Sequence, residues 1–173
     1  MHQDNTPFWE IEPERLEDNP FKIIGSDWML ITAGILGDYN TMTASGGGWG
    51  TLWGRKVCYC HIKPAHYTFQ FMERFPYFTL SFFEEKYKNV LQFCGSNSGR
   101  DVDKASATGI TPVAGSLGAV YFAEARLVIE CKKIYFHDFD PNHFLDPKIH
   151  DRFPKRDYHR MYAGEIIRCL KKP

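Results

Sequence analysis

Most of this chain's periodic signal has a period of two, the repeat of a strand with one face turned inward. Val57, Tyr59, His61 and Lys63 fall on one face of such a strand, and Cys58, Cys60 and Ile62 on the other. Ala125, Leu127, Ile129 and Cys131 alternate in the same way with Arg126, Val128, Glu130 and Lys132. Residues 28–33 and 78–82 are short apolar and aromatic runs, and residues 161–170 supply a last strand with a less regular pattern. Strands and helices do not alternate regularly, which argues against a doubly wound parallel sheet. The pattern predicts a mainly β protein, a small antiparallel β-barrel with peripheral helices. Closing the sheet would remove its exposed edges. A barrel of this size fills with its own side chains, so a large flat ligand would bind at its surface or at a subunit interface.

Helical periodicity is confined to three short stretches. Residues 66–75 put Tyr67, Phe71 and Phe75 on one face. Residues 84–94 do the same for Tyr87, Val90, Leu91 and Cys94, with acids in the first turn and Gly95 as the expected stop. Residues 101–108 form a third helix, with Asp101 as its cap and Gly109 beyond its end. Residues 1–20, with three prolines, read as an extended N-terminal arm of a single domain spanning 1–173. Residues 138–158, rich in Pro, Asp and His, read as a long loop, a length often associated with function.

Composition narrows the classes of function. Lysine plus arginine and aspartate plus glutamate are 21 each, so no global field favours nucleic acid. No window is apolar enough to span a membrane, and the polar N-terminus lacks the pattern of a signal peptide, which predicts a cytoplasmic protein. Five cysteines without a CxxC pair read as buried, reduced thiols. The 16% aromatic content suits an aromatic core and a site that stacks a flat ligand.

The run Asn40, Thr41, Met42, Thr43, Ala44 and Ser45 offers hydroxyls, an amide and backbone N–H groups, followed by glycines and, further on, by Lys63. Such groups can hold a heteroaromatic ring by its edge and a phosphate by its oxygens. The glycines at 46–48 and 50 fit neither the dinucleotide fingerprint nor the P-loop spacing. They are either a flexible connection after a strand or a place where backbone approaches a ligand. Residues 96–101, SNSGRD, are either an anion site at a helix start or a cap with solvated neighbours. His137, Asp138, Asp140 and His143 lie on a proline-containing loop rather than a rigid frame, so no metal site is predicted. Ser98, His159 and Asp101 lack a nucleophile elbow. Residues 158–162, YHRMY, form either an interface patch or the wall of a site.

The strings NTMTAS (40–45), KPAHYTFQFME (63–73), FTLSFF (78–83), CGSNSGRDVDK (94–104), ARLVIECKK (125–133) and DYHRMYAGEI (157–166) occur in order. Together they resemble the flavin reductase-like, flavoredoxin-type family. The resemblance implies an FMN-binding split barrel of antiparallel Greek-key type and a homodimer with FMN held non-covalently near the subunit interface. It implies that residues 40–45 line the isoalloxazine and ribityl chain, and that Lys63, His66, Tyr67 and Thr68 sit at the phosphate end near Ser98 and Gly99. Relatives often carry Arg at the position of Lys63, and Trp at that of Gly46. Here the tryptophan comes three residues later, as Trp49, and is a candidate to stack on the ring. His159 and Tyr162 are the candidates for groups near the ring or a nicotinamide pocket. The implied activity is hydride transfer from NAD(P)H to the flavin, then electron transfer to free flavin, ferric iron or a protein. The alternative is an FMN-binding electron carrier without its own NAD(P)H site.

Overall fold

In a computed structural model, which describes residues 6–173, the strands form one antiparallel sheet that curls without closing, a split barrel. The main strands are β1 (Trp9–Ile11), β2 (Met29–Ile35), β3 (Asp38–Ala44), β4 (Gly47–Leu52), β5 (Arg55–Ile62) and β6 (Tyr77–Phe82). A small separate hairpin, β7 (Pro112–Ala114) and β8 (Val120–Phe122), precedes the long strands β9 (Leu127–Asp138) and β10 (Arg160–Lys171). The order across the sheet is β3-β2-β6-β9-β10-β5-β4, with β1 added to the end of β10. The sheet therefore keeps free edges at β3, β4 and the short β1 instead of the closed form that would have removed them.

The inner face carries Ile31, Phe78, Ile129, Cys58 and Tyr162, all almost fully buried. The other face packs Leu30 and Val128 against Leu91, Cys94 and Ala105 of the helices and against Phe122. Among the described residues four short helices lie around the sheet: α1 (Pro20–Ile23), α2 (Tyr67–Arg74), α3 (Lys88–Ser96) and α4 (Lys104–Thr108). In α2 the aromatic face is as the spacing implied. Tyr67 meets Phe71 edge-on at 5.0 Å, and Phe71 stacks with Phe75 at 6.5 Å.

Several local expectations are corrected. The glycine run is mostly strand: β4 is held by pairing Gly47 to Leu52 with Cys60 to Arg55. Gly95 lies inside α3 instead of stopping it, and Asn97 is the cap; a Cβ at residue 95 would come within 3.2 Å of Thr43 Cβ, so this position favours glycine where α3 meets β3. Residues 84–94 are not one helix: a 3-10 turn at Glu85–Tyr87 comes before α3. Asp103, not Asp101, caps α4, its carboxylate accepting from Ser106 N at 3.1 Å. Gly109 ends α4 with a left-handed φ of 74°, as expected.

The N-terminal arm carries structure of its own: β1 pairs with the end of β10, and a 3-10 turn at Pro13–Arg15 follows it. Its residues 1–5 lie outside the described residues. β9 runs six residues beyond the alternating stretch, to Asp138. The segment after it, residues 139–159, is a strap with two 3-10 turns, Pro141–His143 and Pro147–Arg152, each begun by an aspartate cap. Among the described residues no helix is long and apolar enough to cross a membrane.

Candidate functional site

The run at residues 40–45 becomes the open edge of the sheet. β3 pairs with β2 alone, so alternate backbone N–H and C=O groups point outward from it. α2, α3 and the loop from Asn97 to Asp103 close over that edge and leave two adjoining cavities of about 290 and 470 Å³. The smaller brings together Asn40, Met42, Thr43, His66, Tyr67, Thr68, Ser98 and Gly99, segments separated by about thirty residues at each step in the chain. A third cavity of about 330 Å³, lined by Ala44, Ser45 and Trp28, continues past Thr43 and Gly95.

The hydroxyls do not all face the cleft. Thr41 is buried, its Oγ1 2.8 Å from Thr32 Oγ1 and 3.2 Å from the Ile31 carbonyl. Thr43 Oγ1 donates to the Leu91 carbonyl at 2.5 Å and ties β3 to α3. What the edge offers a ligand is therefore mainly backbone, with the Asn40 amide beside it. Asn40 Nδ2 donates to Thr68 Oγ1 at 2.7 Å, which fixes the amide and turns its Oδ1 toward Gly99. A Cβ at residue 99 would overlap Asn40 Oδ1 and lie 2.8 Å from its Cγ, so the loop can approach only as glycine.

Two cations that sequence reasoning did not assign stand at this cleft. Lys104 is 6% exposed and lines both cavities; its Nζ donates to the Thr41 carbonyl at 2.8 Å and to the Cys94 carbonyl at 2.7 Å. It makes no ion pair with a carboxylate among the described residues, and burial lowers its pKa. Arg100 lies over the Tyr67 ring at 4.7 Å. Trp28 was also unassigned. It has a left-handed φ of 71°, uncommon for a bulky residue, and Lys88 Nζ sits over its ring at 3.4 Å.

The remaining candidates lie elsewhere. Lys63 pairs with Asp157 at 3.0 Å and lies over the Phe153 ring at 5.2 Å, so it fastens the strap to the barrel and lines neither cavity. Trp49 packs edge-on against Phe82 at 6.1 Å, partly buried against the core. Tyr162 is 1% exposed and donates to Glu73 Oε1 at 2.6 Å; burial and that carboxylate hold its pKa far above the usual phenol range. A phenol so enclosed has no surface to offer a nicotinamide. His159 packs edge-on against Phe153 at 5.4 Å.

Burial, then the positive charge of Lys63 and the neighbouring His61 and His66, lowers the His159 pKa to about 4. Its unfolded value lies near 6.5. Between these values the unfolded chain binds a proton that the folded chain does not, so stability is expected to fall as pH drops from about 6.5 toward 4. An NMR titration of His159 and denaturation midpoints across that window check this. A His159 pKa near 6.5 in the folded protein would contradict it.

The residues fit a flavin mononucleotide. A backbone edge and an amide line the cleft, a glycine permits close approach, and the cations Lys104 and Arg100, able to pair with a phosphate, stand at its side. His66, at the start of α2, has a buried Nδ1 without a hydrogen-bond partner, a kind of orphan common where a site awaits a ligand or water. Among the described residues no cluster of His, Cys, Asp or Glu is arranged to hold a metal ion.

The fold is a split antiparallel barrel with a polar cleft along its free edge. The chain belongs to the flavin reductase like domain family, whose model matches residues 55–171. Solved structures share the fold. Flavoredoxin from Methanosarcina acetivorans is 20% identical, with a TM-score of 0.68 over 84% of this chain and 68% of that one. An FMN-binding protein from Thermus thermophilus is 19% identical, with a TM-score of 0.67 over 84% and 71%. An NADH:FAD oxidoreductase from Streptomyces globisporus is 18% identical, with a TM-score of 0.66 over 85% and 76%. A search of curated protein sequences found no match.

Proposed function

We propose that this chain is an FMN-binding oxidoreductase that takes a hydride from NAD(P)H and passes electrons to an acceptor such as free flavin, ferric iron or a protein. The observation that carries the reading is the convergence of residues 40–43, 66–68 and 98–99 on one cavity with the buried Lys104 at its side. When bound, FMN supplies the redox chemistry. The chain's own groups bind and orient. Outward N–H groups of β3 face the polar edge of the ring, where they favour negative charge. Lys104 and Arg100 stand toward the phosphate, with Ser98 and the N-terminal turn of α2 beside it. None of the residues lining the cleft is placed as a nucleophile.

The test is anaerobic. The FMN-loaded protein is mixed with NADH or NADPH, and the flavin absorbance is followed. Bleaching at turnover-competent rates supports the oxidoreductase, whereas bleaching only by dithionite or a reduced protein partner overturns it in favour of the electron carrier.

We also infer a homodimer. Trp53, 65% exposed in the β4–β5 turn, meets the half-exposed Tyr135 edge-on at 5.7 Å, and this aromatic patch flanks the free edge strand β4. Light scattering is expected to give twice the chain mass, and Trp53→Glu to shift the protein toward the monomer. A monomeric wild type would refute this.

A further inference from the structure

Trp28 joins the turn after α1 to β2 with a left-handed φ of 71°. Such a backbone strains a bulky residue and persists only where its surroundings over-determine it, which is common at ligand sites. Lys88, at the start of α3, supplies that constraint. Its Nζ donates to the carbonyls of Ser26 at 2.5 Å and Asp27 at 3.3 Å, the two residues before Trp28, and lies 3.4 Å over the indole. Lys22 holds the Asp27 carboxylate at 2.5 Å. The half-buried ring fixed in this way lines the third cavity of the cleft, about 330 Å³, with Ala44 and Ser45 at the end of β3 and Leu91 of α3. The register that pairs Met29 with Ala44 brings Trp28 level with Ser45. Thr43, Gly95 and Ser96 line both this cavity and the one that gathers Asn40, Thr68 and Gly99, so the two adjoin along the β3 edge. Asn40 to Ser45 spans roughly 17 Å, at about 3.3 Å per residue. Over that length the lining changes from Lys104, Arg100 and Ser98 to Trp28, Ala44 and Leu91. Of the four tryptophans, Trp9 and Trp53 are exposed, Trp49 packs on Phe82, and Trp28 lines the cleft.

We propose that Trp28 is a wall of the flavin site: the apolar benzenoid end of the isoalloxazine enters the third cavity and packs against the indole, while the phosphate lies at the Lys104 end. The proposal rests on the FMN reading above and adds the residue that holds the ring. Isoalloxazine is polar along its pyrimidine edge and apolar at the opposite end. A backbone edge that finishes at Trp28 and Leu91 matches that polarity. Lys88 is the positioning residue, since it fixes both the turn and the indole.

The test reads the fluorescence of bound flavin. An indole in contact with an excited isoalloxazine quenches its emission by lending an electron that then returns. At saturating FMN, the wild type is expected to be dim and Trp28→Phe several-fold brighter, because phenylalanine fills the space without donating an electron. Trp28→Gly removes the wall and relieves the backbone. Lumiflavin, which carries the ring without the ribityl phosphate, should bind it about tenfold more weakly than it binds the wild type. The ratio of FMN and riboflavin dissociation constants should stay at the wild-type value, because the phosphate end is untouched. Equal emission from FMN bound to wild type and Trp28→Phe, or undiminished lumiflavin affinity in Trp28→Gly, would overturn the wall. The two readings fail separately. A wild-type chain that takes up neither FMN nor lumiflavin removes the flavin site itself, whereas FMN uptake and emission indifferent to Trp28 keep the flavin site and remove the wall.

Discussion

Lys104→Met is expected to weaken FMN binding about tenfold to a hundredfold and riboflavin binding far less. A charge-assisted hydrogen bond contributes roughly 1.5–3 kcal/mol, and each 1.4 kcal/mol is about tenfold in affinity. Two carbonyl oxygens hold the Lys104 ammonium, and neither carries a formal charge to balance it. Such a cation favours an anion in the adjoining cavities, and the FMN phosphate is the part of the ligand that riboflavin lacks. Methionine keeps much of the side-chain volume but leaves the Thr41 and Cys94 carbonyls without their donor, at a cost of about 1–3 kcal/mol in stability. The ratio of the FMN and riboflavin dissociation constants separates the two effects, since a general loosening of the cleft lowers both affinities alike. A ratio unchanged from wild type would remove Lys104 from the phosphate site.

Gly164→Ala is expected to destabilise the fold by about 3 kcal/mol, near the top of the range for overpacking a tight core. Gly164 lies within β10, a position where glycine ordinarily weakens a strand. A Cβ there would sit 2.6 Å from two ring atoms of Phe78 and 2.8 Å from Cys131 Cβ. Phe78 is fully buried, and Cys131 Sγ already lies 2.9 Å from Cys58 Sγ, on the strand paired with Gly164. Nothing around that point is free to give way. The missing side chain lets β5 and β9 bring their cysteines together across β10. Urea denaturation should show a lower midpoint with an unchanged slope. Phe78→Leu in the same chain should recover part of the loss, because the clash is with the ring. A midpoint equal to that of wild type would show that the barrel interior is looser than its packing indicates.

Much of this fold is legible in the sequence, because alternation reports directly on a sheet with two unlike faces. The strands around Cys58 and Ile129 and the aromatic face of α2 follow from spacing alone. The family strings also pick out Asn40, Thr68 and Gly99, residues far apart in sequence that the fold joins through a single amide. Other features depend on packing that no local pattern encodes. The glycines of β4 carry little strand propensity and are strand because β5 pairs with them. Lys104 sits beside Asp101 and Asp103, where a lysine reads as solvated, and only the packing of α4 against α3 and β3 buries it. Lys63 is the converse: its position in a family string suggested phosphate, but its neighbours Asp157 and Phe153 come from the distant strap. Trp28 lines the cleft through a left-handed backbone that its apolar neighbours do not announce.

The account stands most directly on whether this cleft holds FMN. Apoprotein titrated with FMN, followed by flavin absorbance and fluorescence, should take up a single FMN per chain. Gly99→Val, which drives a branched side chain into Asn40, should abolish uptake while the protein remains folded by circular dichroism. Absence of FMN uptake by the wild-type chain, or equal uptake by Gly99→Val, would contradict the assignment of the β3 cleft as the flavin site.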